Sequence, residues 1–211
     1  MTLAGKHILV TAGPTWEPID PVRVIANRSS GRQGFAIAAA AAEGGARVTL
    51  VAGPVCLQTP NGVDRIDVET AEQMGNAVFD ALPADAAILV AAVADWRVEP
   101  SATKLKKGEG PPRLEFVPTR DILAELGASG QHPGLLIGFA AETEKVIEQA
   151  IAKREAKGAD WIVANDVSGG VMGGERNRVH LVTSRGVEDW PEASKEEVAR
   201  RLIGRVAQAL G

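Results

Sequence analysis

Short apolar runs separated by polar stretches set the pattern of this chain. The most apolar runs are continuous and do not alternate with polar residues: HILVTAG at 7–13, RVTLVAG at 47–53, AAILVAAV at 86–93, LLIGFAAE at 135–142 and WIVANDV at 161–167. Continuous runs of this length are typical of strands buried on both faces, as in a parallel sheet that helices cover. The run at 86–93 is so apolar that we predict a central strand there.

Helical patterns alternate with these runs. GFAIAAAAAEGGA predicts a helix that is closed by Gly44 and Gly45. Two capping boxes predict the starts of a helix that ends near residue 81 and of the last helix of the chain: Thr70 with Gln73, and Ser194 with Glu197. Further helices are expected at 121–126 and 143–157.

The remaining segments predict loops and antiparallel strands. Residues 13–31 carry Pro14, Pro18 and Pro21, which argue against regular structure there. A second long polar loop is expected at 94–113. Further strands are predicted by DRIDV at 64–68 and by two alternating patterns: RLEFV at 113–117 as an antiparallel strand, and RVHLVTS at 178–184 as an edge strand.

Strands that alternate with helices predict an α/β fold. The expected architecture is a Rossmann-like, mostly parallel sheet with helices on both faces and a small antiparallel excursion. In such folds ligands bind at the carboxyl ends of the strands. Four apolar runs end in TAGPT, VAGPV, VAAVAD and FAAET. Small and polar residues therefore gather at that edge of the sheet, where we expect the site.

Composition fits one domain that spans residues 1–211. The net charge is −4 and 45% of the residues are hydrophobic, so the chain lacks the basic surplus of a general nucleic-acid binder. No secretory leader is recognisable, and the longest apolar runs are too short to cross a bilayer. Cys56 is the single cysteine, which excludes an internal disulfide and fits a reducing cytoplasm. The absence of tyrosine excludes a catalytic tyrosine.

The polar segment RVIANRSSGRQG, from Arg23 to Gly34, precedes the first predicted helix. The first amides of a helix lack intrahelical partners and the helix dipole adds positive potential, so such a start is a ready anion site. A solvated loop with an ordinary Ser cap explains the pattern equally well. The glycine spacing matches neither a P-loop nor the G-x-G-x-x-G dinucleotide fingerprint.

Other residues are also candidates for chemistry. Asp95 directly follows the most apolar run, where a carboxylate is either a ligand-binding group or a turn cap. KLKK at 104–107 is either a solvated cluster or a loop that closes over a polyphosphate. Lys153 and Lys157 share a helix face, which on pattern alone favours a salt-bridged surface. NDVSGG at 165–170 is either a turn or a substrate contact. The three histidines lack metal-ligand spacing, and no Ser/His/Asp triad is recognisable.

Six motifs, in order along the chain, resemble phosphopantothenate–cysteine ligase. They are TAGPTWEPIDPVRVIANRSSGRQGFAIA, VTLVAGPV, AAVADWR, KLKK, GFAAET and VANDVS, and together they span essentially the whole chain. In bacteria this family is usually the C-terminal half of a bifunctional coenzyme A biosynthesis protein. We therefore expect either an isolated ligase domain or a free-standing ligase, without the flavin-dependent decarboxylase half.

The resemblance implies a reaction with two steps. The carboxylate of 4′-phosphopantothenate attacks the α-phosphate of CTP, with Mg²⁺ present, and pyrophosphate leaves. The amine of cysteine then attacks the acyl-cytidylate and CMP leaves. Such chemistry needs positioning and charge neutralisation and does not need a protein nucleophile. The resemblance also implies a homodimer in which part of each site is built across the interface.

The same resemblance implies roles for individual residues. The expected catalytic residues are Asn27, Arg23 and Lys104, the last on a flexible flap loop. Phosphates and the intermediate are expected to lie against Ser29, Ser30, Gly31, Ala92 and Val93. The nucleotide is expected to contact Leu89, Val90, Ala91, Asp95, Lys104, Arg120, Asp121, Ile122, Leu123, Phe139, Lys153 and Lys157. Asp95 is also expected to act near Mg²⁺, through the phosphates.

This chain departs from the family pattern at three places. Thr119-Arg120 stands where many members have Asn-Pro, Trp96 replaces a frequent tyrosine, and GGVMGGERN at 169–177 replaces a Gly-Phe form.

Two other function classes stay open. An NAD(P)-dependent oxidoreductase conflicts with the broken glycine fingerprint and the missing tyrosine. A non-catalytic nucleotide-binding module would need neither the flap lysine nor Asn27. Residue spacing does not decide between CTP and ATP.

Overall fold

The computed structural model describes residues 2–142, 144–166 and 176–211. The helices are α1 (Arg32–Glu43), α2 (Ala71–Asp80), α3 (Ile122–Ala128), α4 (Val146–Lys157) and α5 (Lys195–Ala209). The strands are β1 (His7–Ala12), β2 (Trp16–Asp20), β3 (Arg23–Ala26), β4 (Arg47–Ala52), β5 (Val63–Asp67), β6 (Ala86–Leu89), β7 (Trp96–Arg97), β8 (Val117–Pro118), β9 (Leu136–Glu142), β10 (Trp161–Asp166), β11 (Arg176–Thr183) and β12 (Gly186–Ser194).

Eight strands form one sheet in the order β12-β11-β10-β9-β6-β1-β4-β5. The six strands from β10 to β5 are parallel, while β11 and β12 pair in antiparallel fashion at one end. All six residues of β1 are buried, as the continuous apolar run predicts. The predicted mostly parallel sheet and the inner position of β6 are therefore confirmed.

Helices cover both faces of the sheet and enclose two hydrophobic cores. One core lies between the sheet and the helices α1 and α5, and includes Ile8, Ile37 and Leu202. The other lies under α2, α3 and α4, and includes Leu9, Met74 and Leu126. No helix within the described part of the chain has the length and apolarity that a bilayer crossing requires.

Local capping signals were reliable guides to the helix starts. Both capping boxes are present: Thr70 accepts a hydrogen bond from the amide of Gln73, and Ser194 accepts one from the amide of Glu197. Gly45 follows α1 with a φ of 87°, a left-handed conformation that favours glycine. These interactions involve residues close in sequence, which is why the pattern alone identified them.

Four predictions about strands were wrong or incomplete. The proline-rich segment 13–31 contains the hairpin β2–β3, because both strands of a two-stranded sheet are edge strands, where proline is tolerated. In RLEFV only Val117 pairs, with Arg97 of β7. The edge position belongs to β12, which the pattern had not predicted, so β11 is an inner strand. The run at 86–93 leaves the sheet after Leu89.

The start of α1 packs very closely against the end of β1. A Cβ at Gly34, in the first turn of α1, would lie 2.5 Å from the Cβ of Ala12 and 3.0 Å from the carbonyl oxygen of Thr11. A side chain would push the helix away from the sheet. Gly204, inside α5, has nothing within 4 Å of the same position.

We predict opposite effects for alanine at these two helical glycines. Gly34→Ala should lower the free energy of unfolding by about 1–3 kcal/mol through overpacking. Gly204→Ala should raise it by about 0.5–1 kcal/mol, because alanine has the higher helix propensity. Urea denaturation of both variants measures the difference. A Gly34→Ala variant as stable as the natural chain would show that the helix does not press on β1.

Candidate active site

A cleft of about 760 Å³ opens at the carboxyl ends of β1, β6 and β9. Its walls are the loop before α1, the segment after β6, the start of α3 and one side of α4. Every site residue expected from the sequence lines this cleft except Arg23 and Lys104. The structure therefore brings together residues from five separate parts of the chain, at the edge of the sheet that the strand endings predict.

Two buried threonine hydroxyls hold the floor of the cleft. The hydroxyl of Thr11 accepts hydrogen bonds from the amides of Val90 and Ala91, both at 3.1 Å. The hydroxyl of Thr15 accepts one from the amide of Ala94 at 3.0 Å. These bonds take the place of strand-to-strand hydrogen bonds that β6 would make if it continued past Leu89. The amide of Ala92 also donates to the carbonyl oxygen of Gly13 at 2.9 Å, so residues 90–94 are held beside the end of β1 and the loop that follows it.

Asn27 is fixed across this floor. Its Nδ2 donates a hydrogen bond to the carbonyl oxygen of Val93 at 2.9 Å. The loop before α1 is therefore joined to the segment after β6 by a side chain that the anion-loop interpretation had left without a role. Asn27 is exposed to the cleft and so remains accessible to a ligand.

The N-terminus of α1 lines the cleft. Gly31 occupies the cap position with a φ of 72°, and no side chain caps the helix there. A Cβ on Gly31 would lie 3.1 Å from Val55 and 3.4 Å from Gly13, so the loop passes close to the strand ends. The hydroxyl of Ser29 instead accepts a hydrogen bond from the amide of Gly31 at 3.3 Å. Uncapped first-turn amides favour an anionic ligand.

Two lysines of α4 reach the opposite side of the cleft. Lys157 Nζ donates to Asp121 Oδ2 at 2.5 Å, and Lys153 Nζ donates to the carbonyl oxygen of Phe139 at 2.9 Å. The pattern had favoured a salt-bridged outer surface for these lysines, but both point inward. Phe139 itself is half-buried against the core under α1 and α5.

Asp121 is held in its charged form. Its partial burial alone would raise the pKa of the carboxyl group, but this effect is outweighed. The hydrogen bond from Lys157, the bond from the amide of Ala124, and the charges of Lys157 and Lys153 together lower the pKa of Asp121 below its ordinary value. Asp121 also caps α3 through that bond to Ala124, at 3.0 Å.

Arg120 touches the cleft, but its guanidinium group is directed towards α2. It donates to Glu125 at 2.6 Å and to Asn76 at 2.7 Å, and it lies 5.2 Å from the ring centre of Phe79. These contacts join α2 to α3. The arginine that stands in place of the family's usual proline thus makes structural contacts with its side chain.

Asp95 lies exposed at the rim of the cleft. Its carbonyl oxygen accepts a hydrogen bond from the amide of Thr119 at 3.0 Å, and the hydroxyl of Thr119 donates to the carbonyl oxygen of Ala94. The carboxylate is therefore carried on a well-anchored backbone. Among the described residues no group of three or more His, Cys, Asp or Glu side chains is placed to hold a metal ion.

Arg23 and Lys104 lie together at a different place, over the β2–β3 hairpin. Arg23 donates to the buried carboxylate of Asp20 and, at 3.0 Å, to the carbonyl oxygen of Leu105. The amide of Leu105 donates to the same carboxylate at 3.1 Å. Asp20 thus anchors the segment that carries Lys104. The hydrogen bond from Arg23 is the main reason that the pKa of Asp20 is far below its ordinary value.

Sequence reasoning missed several residues of the cleft. Thr11 lies in an apolar run and Thr15 lies just after it. Burial beside a strand accounts for such threonines without any role in a site. Lys195, the first residue of α5, is buried at 8% exposure and lines the cleft. Asn165 of β10, which belongs to the candidate motif NDVSGG, lines it too. The Oδ1 of Asn165 is buried without a hydrogen bond from any described residue. The rest of NDVSGG, from 167 on, and GGVMGGERN up to 175 lie outside the described residues.

We predict that Asp20→Asn will expose the Lys104 segment to protease. The NH₂ of the asparagine amide would face the N–H of Leu105 and the guanidinium of Arg23. All of these groups are hydrogen-bond donors, so the bonds that the carboxylate accepts would be lost. Trypsin should then cleave after Lys104, 106 or 107 at least about fivefold faster than in the natural chain, because local opening becomes easier. Asp64→Asn, at an exposed position on β5, serves as the matched control. Equal cleavage rates for the Asp20 variant and the natural chain would contradict the anchoring role.

Comparisons with known proteins agree with this geometry. The model of the family "DNA/pantothenate metabolism flavoprotein C-terminal domain" matches residues 3–210. The chain is 43% identical to the Coenzyme A biosynthesis bifunctional protein CoaBC of Haemophilus influenzae, over 98% of this chain and 52% of the relative. It thus spans about half the length of the curated relatives that it matches.

Solved structures share the fold. The crystal structure of the C-terminal domain of a Coenzyme A biosynthesis bifunctional protein CoaBC is 41% identical, with a TM-score of 0.84, and the match covers 98% of this chain and 96% of that one. A Cab2 variant in complex with phosphopantothenate-cysteine is 17% identical, with a TM-score of 0.75, covering 97% and 87%. The chain therefore belongs to the DNA/pantothenate metabolism flavoprotein C-terminal domain family.

Proposed function

We propose that this chain ligates 4′-phosphopantothenate to cysteine at the expense of CTP, through an acyl-cytidylate. One observation carries the proposal. A single cleft joins an uncapped helix start and Asn27 on one side to the inward-facing pair Lys153 and Lys157 on the other. Phosphates and a carboxylate are the ligands that such surroundings favour. The family membership and the CoaBC relatives support the same substrates.

In the first step, a carboxylate oxygen of 4′-phosphopantothenate attacks the α-phosphorus of CTP. An O–P bond forms while the bond from that phosphorus to the bridging oxygen breaks, and pyrophosphate leaves with the electron pair. The amides at the start of α1 and the lysines of α4 supply positive potential for the charge on the phosphates. No protein nucleophile is needed, which agrees with the absence of a recognisable triad.

In the second step, the amine of cysteine attacks the acyl carbon. A C–N bond forms, the bond from the acyl carbon to the phosphate oxygen breaks, CMP leaves, and the proton of the amine passes to solvent. Asn27 is placed to orient the intermediate, because its bond to Val93 fixes the side chain at the floor of the cleft. Ala92 and Val93 lie beside it on the same segment.

The α4 side of the cleft is proposed to hold the nucleoside. Asp121 with Lys157 forms a charged pair beside the start of α3, where Ile122 and Leu123 are buried. Ile122, Leu123 and the backbone that carries Phe139 would flank the nucleoside. Leu89, Val90 and Ala91 complete this wall. Recognition of cytosine would then rest on the fixed backbone groups of these segments.

The residues present suit Mg²⁺ that is bound mainly by phosphates. Mg²⁺ prefers oxygen ligands and is commonly held by one or two carboxylates together with substrate phosphates. Asp95 offers one exposed carboxylate at the rim of the cleft, and a larger protein cluster is not required. When bound there, Mg²⁺ would neutralise phosphate charge.

A reducing compartment, as in the cytoplasm, suits the exposed free thiol of Cys56.

We also propose that the chain forms a homodimer through its two small sheets. Large apolar side chains are exposed on β2–β3 and around β7–β8: Trp16, Val22, Val24, Trp96, Phe116 and Val117. The two sheets adjoin, since the amide of Ser101 donates to the carbonyl of Ile19 at 2.9 Å. A group of exposed large apolar side chains on adjoining elements is typical of a protein interface. Arg23 and Lys104 lie in the same region, so a second copy would bring them to its partner's cleft.

The activity is tested by pyrophosphate release. We expect pyrophosphate to be released from CTP only when 4′-phosphopantothenate is present. We also expect Asn27→Asp to slow complete turnover by about a hundredfold while the acyl-cytidylate accumulates, because a negative charge would replace the amide donor. Rapid quench with chromatography measures the intermediate. Asn61→Asp, on an exposed loop, is the control. Pyrophosphate release at the same rate with and without 4′-phosphopantothenate would refute the ligase function. Turnover by Asn27→Asp at the rate of the natural chain would refute only the role of Asn27.

The oligomeric state is tested by light scattering. Phe116→Asp should convert the dimer to a monomer, because a charge would be buried at the interface. The monomer should also be less active if Arg23 contacts the ligand in the partner's cleft. Val187→Asp, which changes an exposed valine on β12, should leave the mass unchanged. A natural chain that runs as a monomer at all accessible concentrations would contradict the proposal.

A further inference from the structure

Arg65 on β5 holds the segment that joins β4 to β5. This β4–β5 loop (residues 53–62) lies wholly in the described part of the chain and contains neither helix nor strand. The Nη1 of Arg65 donates to the carbonyl oxygen of Leu57 at 2.7 Å, and its Nη2 donates to that of Val55 at 3.4 Å. Its Nε donates to Asp67 Oδ1 at 2.7 Å. One planar guanidinium group thus fixes the backbone of the β4–β5 loop to the edge strand β5.

The same guanidinium group lies against the start of α1. Its central carbon is 5.2 Å from the ring centre of Phe35, a distance at which a cation and an aromatic ring attract each other. Phe35 is buried, and its amide donates to the carbonyl oxygen of Gly31 at 3.1 Å, so the ring belongs to the first turn of α1. Arg65 therefore connects the β4–β5 loop with a helix that borders the cleft, although Arg65 itself does not line the cleft.

Val55, whose carbonyl group Arg65 holds, packs where the loop before α1 meets the end of β1. A Cβ placed on Gly31 or on Gly13 would in both cases lie 3.1 Å from Val55 Cγ1. Gly31 is the cap residue of α1, and the carbonyl oxygen of Gly13 accepts the hydrogen bond from Ala92 at the floor of the cleft. The side chain of Val55 therefore limits how far both glycines can move towards the β4–β5 loop.

We infer that Arg65 is a positioning residue for the ligase reaction. The inference rests on the proposed function, in which phosphates lie against the loop before α1 and the first amides of that helix. Arg65 acts through Val55 and Phe35, which it contacts from outside the cleft. Misplacing the groups that orient a reacting centre by about 1 Å can cost about 100-fold in rate. Loss of Arg65 should therefore impair catalysis without removing any contact to the ligand.

A set of matched variants separates positioning from a purely structural role. Arg65→Met keeps the apolar stem and loses every donor, and Val55→Ala removes the side chain that faces the two glycines. Arg205→Met is the control, because Arg205 also joins two elements away from the cleft: it donates to Glu188 of β12 at 2.5 Å and to Gln208 of α5 at 2.7 Å. Thermal unfolding compares the stabilities, and Arg65→Lys replaces Arg65→Met if the latter does not fold.

The first measurement is hydrogen–deuterium exchange without ligand. Arg65→Met should speed amide exchange at 29–35 at least about fivefold, because the start of α1 loses its support and opens more easily. Arg205→Met should leave exchange at 29–35 within about twofold of the natural chain. Unchanged exchange at 29–35 in Arg65→Met would overturn the inference, whatever the enzymatic activity.

The second measurement is steady-state turnover of CTP with 4′-phosphopantothenate and cysteine. Arg65→Met should lower kcat/KM for CTP by about 10- to 100-fold and raise KM for CTP, because misplaced amides bind phosphates less well. A mere loss of folded protein would lower kcat and leave KM unchanged. Val55→Ala should lower kcat/KM as well. The double variant should lose no more than about twofold beyond Arg65→Met, since both changes release the same loop.

Three kinetic results would overturn the inference: an unchanged KM for CTP in Arg65→Met, a loss no larger than that of Arg205→Met, or losses that multiply in the double variant. The ligase function fails separately. If the natural chain makes no product, while Arg65→Met still speeds exchange at 29–35 and weakens CTP binding in calorimetry, the ligase function is refuted and the role of Arg65 at the start of α1 stands.

Discussion

The hydroxyl groups of Thr11 and Thr15 are the constraint on which the site depends. A parallel sheet would continue β6 beyond Leu89, and the cleft would then be filled by ordinary strand. Because the two hydroxyls accept the amides of Val90, Ala91 and Ala94 instead, the chain leaves the ladder without orphaning buried donors. The segment so held provides the carbonyl that fixes Asn27 and leads to Asp95.

Around this floor the charges are divided between the two faces of the sheet. Lys153, Lys157 and Asp121 come from the layer of α3 and α4, while Arg32 and Lys195 come from the layer of α1 and α5. A ligand that satisfied both groups would need negative charge along its length. A nucleoside triphosphate and a phosphorylated carboxylic acid have that character, whereas a nicotinamide cofactor would leave much of the positive potential unused.

The sequence allowed most of the sheet and the helix starts to be predicted, because both depend on local rules. Apolar runs mark buried strands, and a Ser or Thr followed by Glu or Gln marks a helix start. The hairpin β2–β3 and the edge strand β12 were not predictable in this way, because Pro18 and Pro191 interrupt their strand patterns, although each strand pairs with its neighbour in sequence. The cleft residues expected from the resemblance lie in short motifs, whereas Lys195 lines the cleft from the first position of α5 and belongs to none of the six family motifs. Arg120, which the resemblance places at the nucleotide, lines the cleft, while its guanidinium group joins α2 to α3.

The central claim is that nucleotide and 4′-phosphopantothenate meet in the cleft at the carboxyl edge of the sheet. Hydrogen–deuterium exchange of the natural chain, with and without both CTP and 4′-phosphopantothenate, tests it most directly. Slower amide exchange is expected at 27–34, 90–95 and 101–107, with the amides of β5 unchanged. Slower exchange confined to other parts of the chain, with 27–34 and 90–95 unaffected, would contradict it.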